Sequence, residues 1–210
     1  MKKIALFGGT GRTGQKFLDK ALSHGYEVIA LARDQSKLEQ HQNLSIIQSD
    51  VLNQQDVDNV IIDSDIVVSL FGHVKGSPKG LQTSGTEHII KAMQKFEVDR
   101  IISLSGGGLP FPEKDQPKFI DKLIRTIMKI AVPKILNDAI NHAEVLRNSN
   151  RDWMIVRAPR LTDDQEKGQY KVGWVGVNSS TKISRSDLAE FILNQIEEIN
   201  FNKQMPFVSE

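Results

Sequence analysis

The 210 residues predict an α/β protein with a doubly wound parallel sheet flanked by helices. Short apolar segments recur along the chain, and segments with helical periodicity lie between them. Most of the apolar segments are almost uninterrupted, as expected for strands covered on both faces. This alternation implies right-handed crossovers between parallel strands. Because no repeat, low-complexity stretch or linker divides the chain, we expect a single domain over residues 1–210.

The predicted elements follow one another from the N-terminus. Strands are predicted at residues 4–7, 28–31, 45–48, 66–71, 100–104 and 153–157. Helices are predicted at residues 13–23, 56–62, 85–96, 137–149 and 186–199. In the first of these helices, the apolar residues share one face at helical spacing.

Composition excludes several classes of protein. Lys plus Arg is 27 and Asp plus Glu is 26, so the formal net charge of +1 gives no basic excess for nonspecific nucleic-acid binding. The absence of cysteine excludes disulfides, thiolate metal sites and cysteine nucleophiles, and no metal site is expected. No apolar run reaches the length of a membrane span, and the N-terminal apolar segment is too short for a signal peptide. We expect a cytoplasmic monomer or dimer.

A glycine-rich loop follows the first predicted strand, at residues 8–14. Its glycines recur every three residues, which permits a tight turn, close approach of the backbone to a pyrophosphate and close packing of helix on strand, as in Rossmann-like proteins. The helix N-terminus would direct free N–H groups at the anion. We expect dinucleotide binding, the alternative being a turn without a ligand. The loop residues assigned to the dinucleotide are Gly8, Thr10, Gly11, Arg12, Thr13 and Gly14.

The residues after the second predicted strand bear on the choice of dinucleotide. NAD sites usually place an acidic residue here to bind the ribose hydroxyls. This chain has Arg33 followed by Asp34, and an arginine pairs well with a 2′-phosphate, with Arg12 flanking it. We therefore expect NADP(H) in preference to NAD(H). Two alternatives remain: Asp34 faces the ribose, or Arg33 is a solvated charge at the strand end.

Residues that follow the third and fourth predicted strands complete the expected nucleotide site. Asp50 and Val51 stand where an adenine base usually lies, with Asp50 accepting from its exocyclic amine. Alternatively, Asp50 caps the following helix. Leu70, Phe71 and Gly72 end the fourth strand near the cofactor ribose and nicotinamide, and Gly72 permits a close approach.

These residues together resemble the atypical short-chain dehydrogenase/reductase family. The resemblance rests on residues 8–14, 31–34, 50–51, 156–159 and 183–189. Within that family the chain is most similar to the NAD(P)H-binding group that contains flavin reductase (biliverdin IXβ reductase) and NmrA-like proteins. The resemblance covers essentially the whole chain and implies a Rossmann fold with a nicotinamide cofactor.

The chain departs from the family in its acid–base residues. Ordinary members use a Tyr-x-x-x-Lys pair on the helix before the sixth strand, where the tyrosine donates a proton and the lysine lowers its pKa. The corresponding positions here hold Leu136 and Ile140, and the two tyrosines, Tyr26 and Tyr170, lie elsewhere. The resemblance therefore favours reductases of conjugated acceptors, in which the protein supplies position and exclusion of water more than acid–base chemistry.

Polar candidates for catalysis are few. Ser105 follows the fifth strand and is the candidate that holds the nicotinamide amide or orients substrate; alternatively it is a turn residue. Gly106 leaves room for a flat substrate. His73 is a weaker candidate for binding substrate, and His142 is another polar candidate. Both are weak candidates because a lone histidine near a cleft is more often structural.

The sixth strand is followed by Pro159 and Arg160, at the carboxyl edge where ligands bind in such sheets. We assign Pro159 to the cofactor. The resemblance places Arg160 in the substrate pocket, where it would suit an anionic acceptor such as a flavin phosphate or a propionate. The alternative is that Arg160 is a surface charge.

An insert at about residues 109–136 contains a basic amphipathic helix. Its apolar residues form one helical face, and Lys118, Lys122, Arg125 and Lys129 fall largely on the other. Pro133 would end this helix. We expect a lid that packs its apolar face over the cofactor cleft; the alternative is binding to a membrane or a partner.

The sequence thus predicts an NADPH-dependent reductase that transfers hydride from nicotinamide to a flavin-like or other conjugated small-molecule acceptor. The alternative is a non-catalytic NADP(H)-binding redox sensor of the NmrA type, which the missing Tyr-Lys pair supports. A sugar-nucleotide epimerase-like enzyme is less favoured, because the chain is short and lacks the proton donor.

Overall fold

The computed structural model describes residues 2–210. Its strands are β1 (Lys3–Phe7), β2 (Glu27–Ala32), β3 (Leu44–Gln48), β4 (Ile66–Ser69), β5 (Arg100–Gly106), β6 (Asp152–Ala158), β7 (Arg160–Thr162), β8 (Lys171–Gly173), β9 (Lys182–Ser184) and β10 (Phe207–Ser209). Its helices are α1 (Arg12–Ser23), α2 (Gln54–Ile61), α3 (Leu81–Lys95), α4 (Phe119–Ala131), α5 (Pro133–Asn148) and α6 (Arg185–Asn194). None of these helices is long and apolar enough to cross a membrane.

The main sheet has the strand order β3-β2-β1-β4-β5-β6-β10-β8. Every neighbouring pair is parallel except β10 and β8, and β7 and β9 form a separate parallel pair. The predicted doubly wound sheet is confirmed, and all six predicted strands are present in it. The sequence missed the four short strands β7 to β10, because three-residue strands carry too little periodicity to be detected.

Helix boundaries differ from the predicted ones in one instructive place. As predicted, α4 ends before Pro133, but Pro133 is also the first residue of α5. Proline is well tolerated there, since the first helical N–H has no intrahelical partner. Only Val132 therefore separates the two helices.

Two apolar layers enclose the sheet. On one face, Phe17 of α1 and Phe191 of α6 pack against Leu6 of β1. On the other face, Ile89 of α3 and Leu146 of α5 pack with neighbouring strand residues. Full burial of each such side chain contributes roughly 1.5–3 kcal/mol. These layers hold the carboxyl ends of β1 to β6 along one edge, where two cavities open.

Candidate functional site

Two adjacent cavities lie at the carboxyl edge of the sheet. The first, of about 130 Å³, is bounded by the ends of β1 to β4. Most of the residues predicted to bind the nucleotide line it: Gly8, Thr10, Gly11, Arg33, Asp50, Val51, Leu70, Phe71 and Gly72. Sequence reasoning missed Ser49, Val74 and Leu81 in the same lining. Ser49 could have been found, since it directly follows the third predicted strand.

The glycine loop is closed so tightly that side chains are excluded from it. Gly8 has a φ of +87°, and a Cβ on it would lie 2.4 Å from the backbone nitrogen of Phe71. A Cβ on Gly14 would lie 2.1 Å from the carbonyl oxygen of Gly8. The N–H of Gly11 donates to that same oxygen at 3.0 Å. No side chain caps α1 at Gly11, so the first-turn N–H groups remain free for an anion.

Asp34 is held away from the first cavity by its own turn. Its carboxylate accepts hydrogen bonds from the Ser36 hydroxyl at 2.6 Å and the Ser36 N–H at 3.2 Å. These bonds, the hydroxyl first, hold the pKa of Asp34 below its usual value. The carboxylate therefore caps a short 3₁₀ turn instead of facing a ribose, and Arg33 lines the cavity.

Arg12 lies outside the first cavity, contrary to its expected place beside the 2′-phosphate. Its guanidinium pairs with Asp163 at 2.9 Å, and Arg185 binds the other oxygen of that carboxylate at 2.8 Å. Thr13, in the first turn of α1, is buried and is likewise absent from the lining. Among the arginines near the loop, Arg33 is thus the one placed for a phosphate in this cavity.

The alternative role for Asp50 as a helix cap is wrong. The cap of α2 is Asn53, whose side chain accepts from the N–H groups of Gln55 and Asp56. Asp50 instead accepts from the N–H of Leu52 at 2.9 Å, and it still lines the first cavity. Two carboxamide or carboxylate residues three apart compete for the same cap, which sequence alone does not resolve.

The second cavity, of about 660 Å³, adjoins the ends of β5 and β6. Gly106, Pro159 and Arg160 line it, and so do Phe207 of β10 and the helix α4. Its volume falls in the range of sites that take cofactor-sized or drug-sized molecules. Phe207 was missed because β10 is too short to be recognised in the sequence.

A buried ion pair anchors one wall of the second cavity. The guanidinium of Arg157, which is fully buried in β6, binds both carboxylate oxygens of Asp115 at 2.7 Å. Arg157 also donates to the carbonyl oxygens of Leu109 and Met205. Asp115 in turn accepts from the backbone N–H of Val175. The loop that follows β5 is thereby fixed to the sheet.

Helix α4 borders the second cavity but does not pack its apolar face onto the protein. Of the predicted apolar face, Ile120 and Ile127 are 54% and 55% exposed, and no side chain of the helix is buried. The expectation that this face covers the cleft is wrong. Because α4 runs into α5 with one residue between them, the packing of α5 fixes its rotation. The α4 residues that line the cavity are Asp121, Lys122, Ile124, Arg125 and Met128.

Ser105 lies at the end of β5 with its hydroxyl unused. The residue is 5% exposed, and its Oγ has no hydrogen-bond partner among the described residues. A buried polar group without a partner costs about 1–3 kcal/mol. Ser103, two residues earlier on the same face, is by contrast bonded to His142. The free hydroxyl of Ser105 is the kind of group that a bound ligand would satisfy.

His73 was expected to bind substrate, but it lies outside the lining of both cavities. Its Nε2 is 2.6 Å from a carboxylate oxygen of Asp138 in α5. Asp138 also accepts from the N–H groups of Gln82 and Thr83 at the start of α3. Burial raises the pKa of Asp138, but these hydrogen bonds outweigh burial and leave it below its usual value. His73 therefore belongs to a structural junction.

His142 is a buried neutral histidine on α5. Its Nδ1 is 2.8 Å from the Thr86 hydroxyl and its Nε2 is 3.2 Å from the Ser103 hydroxyl. Burial lowers the pKa of His142 to about 4, although the charge of Asp138 opposes this. The side chain joins α3, α5 and β5 behind the cavities.

Acidification is expected to destabilise the protein through His142. Between the unfolded pKa of 6.5 and the folded value of about 4, the unfolded chain binds more protons. The free energy of unfolding therefore falls by about 3 kcal/mol as the pH drops through this window, and this contribution is complete above pH 6.5. Urea unfolding at a series of pH values measures the slope. The variant His142→Gln, which does not titrate, should lose this part of it; an unchanged slope would contradict the assignment.

A model of a family described as NAD(P)H-binding matches residues 8–199. The chain belongs to this NAD(P)H-binding family. The uncharacterized protein YwnB of Bacillus subtilis is 26% identical over 99% of each chain. An uncharacterized chloroplastic protein of Arabidopsis thaliana is 29% identical over 95% of this chain and 74% of its own.

Among solved structures, this member of the NAD(P)H-binding family is similar to a short-chain dehydrogenase/reductase from Veillonella parvula in complex with NADP. The TM-score is 0.84 and the identity 19%, over 100% of this chain and 94% of the other. This likeness confirms the predicted Rossmann fold. The family match assigns a nicotinamide cofactor to this fold.

The residues present fit such a nucleotide. The loop leaves no space for side chains at Gly8 and Gly14, which keeps the backbone open to a pyrophosphate. Ser105, which lines neither cavity, has a buried hydroxyl without a hydrogen-bond partner among the described residues. In α5, Leu136 is buried and Ile140 is half-buried; these are the two residues predicted to replace the proton-donating pair. Both tyrosines pack elsewhere: Tyr26 donates to Glu197, and Tyr170 packs edge-on against Phe191.

Proposed function

We propose that this protein is an NADPH-dependent reductase that transfers hydride to a flavin-like or other conjugated acceptor. The observation that carries the proposal is the second cavity of about 660 Å³ beside the nucleotide cleft, at the ends of β5 and β6. A flat molecule there would lie over Gly106, whose missing side chain leaves open space. The nicotinamide, when bound, supplies the hydride.

The chain's own part is mainly positioning. The glycine loop would bind the pyrophosphate through free N–H groups, Asp50 the adenine amine, and Leu70 to Gly72 the ribose and nicotinamide. Ser105 would donate its free hydroxyl to the nicotinamide amide or to the acceptor. Pro159 would pack beside the cofactor, and α4 would border the acceptor. Because α5 offers Leu136 and Ile140 where a proton donor would stand, conjugated acceptors are favoured.

The preference for NADP(H) over NAD(H) rests on Arg33. Arg33 lines the first cavity, while the neighbouring Asp34 carboxylate accepts a hydrogen bond from Ser36. An acidic ribose ligand is therefore missing from this position, and a cation is present. An arginine–phosphate hydrogen bond is charge-assisted and stronger than a neutral one.

Arg33→Ala is expected to impair NADPH oxidation selectively. With FMN as acceptor, the variant should raise the KM for NADPH by roughly 10–100-fold, the equivalent of a lost charge-assisted bond. Its kcat and its kinetics with NADH should change little, since neither involves the 2′-phosphate. Initial rates of absorbance loss at 340 nm measure both.

Lys37→Ala is the matched control, because Lys37 is a nearby exposed cation that contacts Asp34 and not the cavity. An unchanged KM for NADPH in Arg33→Ala would disprove the cofactor assignment. Absence of turnover across flavins, quinones and tetrapyrroles would disprove the reductase. If calorimetry nevertheless shows that the protein binds the nucleotide, that result would favour the second candidate, an NmrA-like redox sensor. The missing proton donor also supports this candidate.

A further inference from the structure

Helix α4 turns its polar side to the protein and its apolar side to solvent. The most shielded stripe of the helix is formed by Asp121, Arg125 and Met128, which line the second cavity. An amphipathic helix on a protein in water normally has the opposite orientation, with its apolar stripe on the core. The exposed apolar side chains, named here the outer face of α4, are Phe119, Ile120, Leu123, Ile124, Ile127 and Ile130.

The outer face is a continuous patch and not a scatter of single side chains. Eleven large hydrophobic side chains are exposed over residues 2–210, and six of them belong to this face. A seventh, Ile135, follows in the first turn of α5. At 3.6 residues per turn, the six side chains fall within an arc of about 140° around the helix axis. A contiguous apolar patch of this kind marks a surface that binds a protein or a membrane.

Unpaired positive charge accompanies the outer face. Residues 118–134 contain one acidic residue, Asp121, and five cations, which are Lys118, Lys122, Arg125, Lys129 and Lys134. Because the whole chain has a net charge of only +1, the remainder of the chain carries a net negative charge. Within residues 2–210, the ion pairs involve none of these five cations.

This charge distinguishes between the occupants that an apolar face could have. In a symmetric dimer, a second copy would set the same patch against itself, so the unpaired cations of both copies would come together. Like charges brought together across an interface are unfavourable. An anionic lipid surface instead offers the opposite charge at its headgroups and an apolar layer directly beneath them. Helices with cations on the polar side and Phe, Leu or Ile on the other lie in this interface.

We propose that α4 docks this protein on an anionic membrane surface, with the outer face among the acyl chains and Lys118, Lys122 and Lys129 at the headgroups. Lysine suits this position, because its apolar stem reaches along the helix while its ammonium stays in the polar layer. The 13 residues of α4 span about 20 Å, too little to cross a bilayer, so the helix would lie along its surface. The inference does not depend on the proposed function.

Docking requires no rearrangement of the core. No side chain of α4 is buried, so the outer face is available to lipid in the structure as it stands. The shielded stripe keeps its place beside the second cavity when the opposite side of the helix meets the membrane. Substitutions on the outer face should likewise leave the free energy of unfolding within about 0.5 kcal/mol of the wild type.

Cosedimentation with vesicles tests the proposal. The vesicles consist of phosphatidylcholine alone or of equal parts of phosphatidylcholine and phosphatidylglycerol. The apolar variant Ile120→Gln/Ile127→Gln is compared with Ile62→Gln/Ile199→Gln, whose side chains are equally exposed but lie outside the insert. The charge variant Lys122→Gln/Lys129→Gln is compared with Lys16→Gln/Lys91→Gln, which removes the same charge from α1 and α3.

The wild type should bind the anionic vesicles at least about tenfold more tightly than the neutral ones, and added salt should weaken this binding. The apolar variant and the charge variant should each weaken it by about tenfold or more, and the two control variants by less than about twofold. Equal binding to both kinds of vesicle, no binding to either, or an equal loss in the controls would overturn the proposal.

A fluorescent label reports which surface meets the lipid. Because the chain contains no cysteine, Ile130→Cys and the control Ile62→Cys can each be labelled at one site with an environment-sensitive dye. On anionic vesicles, the label at position 130 should gain emission and be quenched by lipids brominated in their acyl chains, whereas the label at position 62 should do neither. Sedimentation with vesicles but no response at position 130 would show that another surface binds, and would overturn the proposal.

Sedimentation velocity without vesicles tests the second copy as the occupant. The outer face should not mediate self-association, so Ile120→Gln/Ile127→Gln should have the same oligomeric state as the wild type over a range of concentrations. Self-association of the wild type that this variant abolishes would show that the face is a dimer interface, and the membrane proposal would then be wrong.

Discussion

Gly14→Ala is expected to abolish NADPH binding, weakening it by more than about 100-fold. The added Cβ would lie 2.1 Å from the Gly8 carbonyl oxygen and 2.9 Å from its carbonyl carbon. Both are backbone atoms, so the loop and the start of α1 must move apart by about an ångström. That displacement disrupts the N–H groups around the pyrophosphate, and overpacking of this kind costs roughly 1–3 kcal/mol of stability. Calorimetric titration with NADPH and urea unfolding measure the two effects.

Gly72→Ala is the control for the stability part of this prediction. Gly72 also lines the first cavity, but a Cβ on it would meet nothing within 4 Å. The free energy of unfolding of this variant should therefore stay within about 0.5 kcal/mol of the wild type. If Gly14→Ala bound NADPH as the wild type does, the loop would not be the pyrophosphate site.

Asp115→Asn is expected to lower the free energy of unfolding by about 3–5 kcal/mol. The amide is isosteric but neutral, so the fully buried guanidinium of Arg157 loses its counter-charge. Removal of one partner from a buried pair leaves an uncompensated buried charge, which costs far more than the pair itself contributes. For a chain of this length, the melting temperature should fall by roughly 10 °C. Urea and thermal unfolding measure both quantities.

Arg151→Gln provides the comparison for an exposed pair. Arg151 binds Asp99 at 2.7 Å, the same separation as in the buried pair, but Asp99 is 75% exposed. Solvent screening limits such a pair to about 0–1 kcal/mol. Equal losses of stability in Arg151→Gln and Asp115→Asn would show that the buried pair is not an anchor of the loop.

The main sheet could be predicted because its strands are nearly continuous apolar runs and its glycine loop has a fixed spacing. Burial on both faces leaves a strong signal in β1 and β4, and the spacing of Gly8, Gly11 and Gly14 follows from the turn itself. The short strand β10 could not be predicted, since it is held in place by Arg157 and its neighbours, nearly fifty residues away, and not by a pattern of its own.

The position of the first cavity could be predicted from backbone geometry, whereas the hydrogen-bond partners of the side chains around it could not. Asp34 caps a short 3₁₀ turn and Asn53 caps α2, and their choice of hydrogen-bond partner depends on local geometry that the sequence leaves open. Arg12 was misplaced because its partner, Asp163, is 151 residues away in the chain. The orientation of α4 depends on α5, whose start at Pro133 was predicted only as the end of α4.

The lack of buried side chains in α4 bears on how this protein tolerates sequence change. A substitution on α4 opens no void in the core, so it costs little stability. The glycine loop is the opposite case, since a single methyl group collides with backbone there. Positions constrained by packing and positions free to vary therefore fall on different sides of the cleft. The α4 wall of the second cavity can therefore diverge among relatives while the glycine loop stays the same.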